Sequence, residues 1–173
     1  MTGSPTRRHP DVMNDETEAL LQSLNDQRDH IVEALDGLSD ADLRRPVLPT
    51  GWTCLGLVRH LTYDVEQWWF RGCVAGERIE RMPGDEAWRV SAETPAPEVL
   101  GQYRAEIARA NEIIAATPLD AMPAWWPTEI FPDFPARPLR RTILHVITET
   151  ATHAGHLDAA RELIDGQTWL VLT

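Results

Sequence analysis

Residues 148 to 158, TETATHAGHLD, place two of the chain's six histidines within four positions, with Glu149 one turn before the first and His145 one turn earlier still. Imidazole nitrogens and carboxylate oxygens are the donors that zinc and similar divalent ions take. On a helix, positions 145, 149 and 153 advance by about 40° per step of four and position 156 falls back toward 149, so all four side chains leave one sector. A rise of about 1.5 Å per residue separates His145 from His153 by about 12 Å, and Glu149 from His156 by about 10 Å. Neither outer pair can share an ion, which leaves His145 with Glu149, Glu149 with His153, or His153 with His156.

One helix commonly supplies two ligands and a second helix the third, with a coordination position left open for water or substrate. The candidate on a second helix is His60, in LVRHLTYD. Leu57 and Leu61 put it at the edge of an apolar stripe, facing the core, where an imidazole needs a partner. A metal would serve, and so would Asp64 one turn on. Other chemistries have less support. Every one of the 16 basic residues is Arg, so lysine Schiff bases and P-loop phosphate binding are excluded. No Ser/His/Asp or Cys/His set is in evidence. Cys54 and Cys73 sit 19 positions apart in one predicted helix, about 28 Å along its axis, too far for a disulfide between them. Both read as reduced packing residues.

Four long amphipathic segments must position these groups. The first runs through NDETEALLQSLNDQRDHIVEALDGLSD, with Leu20, Leu21, Leu24, Ile31, Leu35 and Leu38 at helical spacing and an end near Gly37. The second follows a short polar turn and opens at Thr53 as N-cap. It carries Leu57, Val58, Leu61, Val65, Trp68 and Trp69 as its stripe, with Trp52 packing against its first turn. The third opens by Pro97 and buries Leu100, Tyr103, Ile107, Ile113 and Ile114. The fourth covers LRRTILHVITETATHAGHLDAARELID, with Ile143, Leu144, Ile147, Leu157 and Leu163 apolar and Gly166 as its stop. Between the third and fourth, residues 117–138 hold six of the 13 prolines together with Trp125, Trp126, Phe131 and Phe134. So long and aromatic a connection is either a lid or a wall packed over something. Four long helices without strand alternation give an all-α four-helix bundle.

The length of 173 residues suits one domain, 1–173, with a polar leader over about 1–13. A net charge of −11 repels nucleic acid and anionic membranes. The leader has no apolar signal-like run and no segment approaches the ~20 apolar residues of a membrane span, so a cytoplasmic protein is expected.

The segments PTGWTCLGLVRHL, WWFRG and, about 80 residues later, ILHVITETATHAGHLDAARELIDG resemble the DinB-like bundles, and within them the actinobacterial branch related to mycothiol-dependent enzymes. The resemblance covers residues 16 to 166. It implies a divalent metal, zinc first with nickel or iron as alternatives, held by one histidine of the second helix and an i, i+4 pair of the fourth. Carried over by position, these are His60, Glu149 and His153. Most DinB-like members have histidine where this chain has Glu149, but the maleylpyruvate isomerases of the superfamily use a His, Glu, His set. His156 takes a glutamine position and is assigned behind the ligands or in the pocket wall, Asp64 to orienting His60, and His145 to packing.

The same resemblance implies a chemistry. In the thiol-transferase members a low-molecular-weight thiol coordinates the metal, is held as thiolate and attacks an electrophilic carbon. The expected function is therefore a divalent-metal-dependent thiol S-transferase that uses mycothiol against small electrophiles, in detoxification or stress response. The alternatives are a non-catalytic metal-binding stress-response bundle, and a metal-dependent isomerase or hydrolase. The expected partners are the thiol and its electrophile, with a homodimer through bundle faces. Trp125 and Trp126 would wall off the electrophile, and Arg59 and Arg140 are placed to meet polar groups of a bulky thiol.

Overall fold

The computed structural model describes residues 15–169, and the polar leader expected over about 1–13 lies outside them. Their order is α1 (Asp15–Glu33), a short α2 (Asp40–Leu43), α3 (Cys54–His60) running on into a π-helical segment (Leu61–Val74), a 3-10 turn (Glu86–Trp88), α4 (Ala96–Ala116) and α5 (Leu139–Asp165). Four long rods result, α3 and the π segment together forming the second, and the expected all-α four-helix bundle is the observed fold. Among the described residues no helix is long and apolar enough to cross a membrane.

The punctuation follows local chemistry. Thr53 caps α3, its side chain accepting from the Gly56 N–H, and Ser39 caps α2 in the same way through Asp42. Gly166 ends α5 at φ +76°, the left-handed conformation that a residue lacking Cβ adopts without strain. α1 packs chiefly on α5, and the π segment on α4, while α5 also meets both α3 and the π segment. The core is the apolar seam between these rods, with Leu24, Ile31, Leu55, Leu57, Leu61, Phe70, Ile114, Ile143 and Leu157 all fully or almost fully buried.

The second rod departs from the expected α-helical stripe. From Leu61 its turns widen, and the run ends with the Ala75 N–H donating to the Phe70 carbonyl five residues back, at 2.9 Å. With wider turns the inward positions recur at steps of four and five: Leu61, Val65 and Glu66, Phe70, Val74. Phe70, outside the expected stripe, is therefore fully buried, and Trp69 turns out to the side of the bundle. The fourth stripe also needs correction, because Leu144 and Leu163 are exposed, at 44% and 56%, while Val146, Ala154 and Ala160 do the packing.

Glu66, carried inward by the widened turns, meets Arg28 of α1 in a two-pronged pair at 2.7 and 2.6 Å. The same guanidinium donates to Asn25 at 2.8 Å and to Asn111 of α4 at 2.7 Å. A buried fork of this kind ties three rods in one register.

Candidate metal centre

His60 is the last residue of α3, at the point where the helix begins to widen. Its Nδ1 lies 2.9 Å from Asp64 Oδ2, a contact that fixes the ring and turns Nε2 away from the carboxylate. Trp88 stacks on one face of the ring, centroids 4.1 Å apart and planes within 15°. Gly56, one turn before His60, makes that stacking possible, since a Cβ there would overlap the Trp88 carbonyl oxygen. Neither Trp88 nor Gly56 is singled out by the sequence; the only signal is a small residue one helical turn from a candidate ligand.

Across the interface, α5 brings His153 edge-on to His60 with centroids 5.1 Å apart, and edge-on to Trp88 at 5.8 Å. Burial, then the neighbouring His60 and His156, lower the His153 pKa to about 4. At neutral pH its imidazole is uncharged, the form in which a histidine binds a metal. Glu149 Oε2 stands 3.9 Å from His153 Nε2, on a side chain that is 41% exposed. The three residues expected as ligands are thus neighbours, but they are not drawn into a closed set. Among the described residues no group of three or more His, Cys, Asp or Glu is gathered tightly enough to hold an ion. The donor chemistry still fits a divalent cation: two imidazoles from different helices, one of them neutral and the other oriented by a carboxylate, with a third donor on an exposed, rotatable side chain.

His156 is exposed, with its Nδ1 3.4 Å from that of His153 and its ring 6.4 Å from Trp52. His145, assigned to packing from the sequence, is instead exposed and meets Trp69 edge-on at 4.7 Å. It stands in the wall of a cleft of about 700 Å³ that reaches His60, Asp64 and Glu149. The Pro-rich connection builds the rest of that wall. Its backbone is fastened to the end of the π segment, Ala124 N–H to the Val74 carbonyl at 3.2 Å and Trp125 N–H to that of Cys73 at 3.1 Å. Phe131 then stacks on Trp69 at 5.9 Å, and Trp126 packs on both rings. Trp125 is not part of the wall; it turns away onto Trp68, edge-on at 5.5 Å.

The arginines differ from expectation as well. Arg59 donates to the Glu86 carbonyl and lies over Tyr63, and Arg140 pairs with Glu16 at 3.0 Å. Neither lines the cleft; Arg137 and Arg141 do. Both cysteines are buried and unpaired, and burial pushes their thiols up to about 11 for Cys54 and about 12 for Cys73. They stay protonated and serve as packing groups, not nucleophiles.

A family model described as mycothiol-S-transferase matches residues 19–166 of this chain. The chain belongs to the mycothiol-S-transferase family. This agrees with the resemblance to DinB-like bundles and covers the four long helices except the first four residues of α1. A solved structure, the conserved protein of locus from Enterococcus faecalis, is similar at TM-score 0.63 and 16% identity over 90% of this chain and 100% of its own. That likeness shows the shared fold and carries no activity. No curated protein matches the chain.

Proposed function

We propose that this protein is a divalent-metal-dependent S-transferase that joins the sulfur of mycothiol to small electrophiles, a cytoplasmic detoxification activity. The single observation that carries the reading is the placement of the roughly 700 Å³ aromatic cleft, which opens directly onto His60, Asp64 and Glu149. The family assignment supports the thiol. The state of Cys54 and Cys73 supports a borrowed nucleophile, since neither protein thiol is available as thiolate.

His60, Glu149 and His153 would hold the metal. When bound, the cation supplies acidification of a coordinating thiol, so that sulfur is presented as thiolate at neutral pH. The remaining work falls to the chain's own groups. Asp64 holds the Nδ1 edge of His60 and fixes its ring plane, and Trp88 stacks on one face of the same ring. Trp69, Trp126 and Phe131 offer flat apolar faces to an electrophile and exclude water from the approach. Zinc suits a nitrogen and oxygen donor set of this kind, with nickel or iron as alternatives.

The test pairs metal analysis with turnover. Untagged protein should carry about one divalent ion per chain, and His60→Ala should lose both the ion and mycothiol conjugation. A metal-free wild type, or a His60→Ala variant that conjugates at the wild-type rate, overturns the proposal.

A further inference from the structure

In a chain with net charge −11, most described arginines are tied to carboxylates, carbonyl oxygens or an aromatic ring. Among the described residues, Arg78, Arg104, Arg137 and Arg141 have no side-chain hydrogen bond, ion pair or ring contact. Two of these four, Arg137 and Arg141, line the aromatic cleft. Arg137 is the next-to-last residue of the Pro-rich connection, and Arg141 lies in the first turn of α5. Arg141, His145 and Glu149 follow one another at i, i+4 along one side of α5. The rise of about 1.5 Å per residue puts the Arg141 backbone about 12 Å from that of Glu149.

The α5 side of the cleft therefore changes charge along its length. Along α5 the Arg141 guanidinium and the Glu149 carboxylate stand two turns apart with His145 between them, and Arg137, Trp69, Trp126, Phe131 and Phe134 line the same cleft. The backbone of the α5 N-terminus does not supply the positive end. The Leu139 and Arg140 N–H groups are already taken by the Ala121 and Leu119 carbonyls, at 2.9 and 3.0 Å. Anion recognition there falls to the two side chains, whose planar forks match a carboxylate.

We propose that Arg137 and Arg141 select an anionic aromatic electrophile, one whose ring lies against Trp69 and Phe131 and whose carboxylate meets the two guanidiniums. The proposal rests on the transferase reading of the same cleft and names the class of its second substrate. With a chloroaromatic of this class the balance is simple. The sulfur–carbon bond forms, the carbon–chlorine bond breaks, chloride leaves with the bonding pair, and the thiol proton goes to solvent.

The experiment separates recognition from turnover. Binding of unreactive dinitrobenzoate and of neutral dinitrobenzene is followed through the fluorescence of the cleft tryptophans, in wild type, Arg137→Gln/Arg141→Gln and Arg137→Lys/Arg141→Lys. Charge-assisted hydrogen bonds predict a roughly ten- to hundredfold preference of wild type for the carboxylate. That preference should collapse in the Gln pair and return in part in the Lys pair, with unchanged circular dichroism. Equal affinity of wild type for the two probes, or a preference that survives in the Gln pair, overturns the proposal. In parallel, mycothiol conjugation of chlorodinitrobenzoate and chlorodinitrobenzene should show the same preference. Selective binding without turnover of either compound counts against the transferase reading and leaves the anion site standing.

Discussion

At the scale of single residues, the site depends on how a histidine is held. His60 has Asp64 on one nitrogen and Trp88 against one face, so its ring has little freedom left. Groups that orient a metal-binding imidazole are worth roughly ten- to hundredfold in metal affinity. Asp64→Ala should therefore weaken zinc binding by about that factor in a competition titration, while Asp64→Asn, which keeps an acceptor for the Nδ1 proton, should lose less. Equal affinities in wild type and both variants would show that Asp64 has no such role. The nearness of Glu149 and His153 was legible in the sequence, because i, i+4 spacing on a helix makes neighbours of any pair. Trp88 was not legible. It sits in a loop with no periodicity, and only a close approach over Gly56 brings it to the site. Arg137 and Arg141 were hidden for another reason: an arginine without a partner looks, in sequence, like any other surface arginine.

At the scale of elements, α1, α4 and α5 match the rods expected from apolar spacing, since a 3.6-residue period shows directly in the sequence. The second rod was half legible. Its existence and its Thr53 cap were readable, but its change of register at Leu61 was not, because a step of four serves α and π turns alike. The consequence is functional: the widened turns send Phe70 and Glu66 inward and leave Trp69 to wall the cleft. The Arg28 and Glu66 pair holds that register, both side chains being only 1% exposed. Glu66→Ala leaves a buried guanidinium unbalanced and should destabilise the fold by roughly 3–5 kcal/mol in denaturant unfolding. A loss well below 1 kcal/mol would mean that the pair does not lock the rods together.

At the scale of the whole molecule, excess acid is managed by arginine clusters on the surface. Glu77 accepts from Arg109 at 2.6 Å and Arg71 at 2.7 Å, and these two partners, Arg109 first, hold its carboxyl below the usual range. A carboxyl whose pKa is lower folded than unfolded adds stability above the unfolded value, and that stability is lost as pH falls through the folded one. The thermal midpoint of wild type should thus drop on acidification below the ordinary glutamate range. Glu77→Gln should show a lower midpoint at neutral pH and a shallower drop, and parallel curves for the two proteins would contradict the assignment. The all-α bundle was legible at this scale from the four apolar stripes. The cleft was half legible: the aromatic connection and Trp126 read as a wall, but its laying back across the π segment onto Trp69, a contact between residues far apart in sequence, did not.

The central claim is a metal-dependent transfer of mycothiol sulfur. The most direct test is mycothiol consumption by untagged protein in the presence of chlorodinitrobenzoate, before and after dialysis against a chelator. The account predicts consumption matched by chloride release, lost on chelation and restored by zinc, nickel or iron. Consumption that survives chelation, or none with any of the three metals restored, would contradict it.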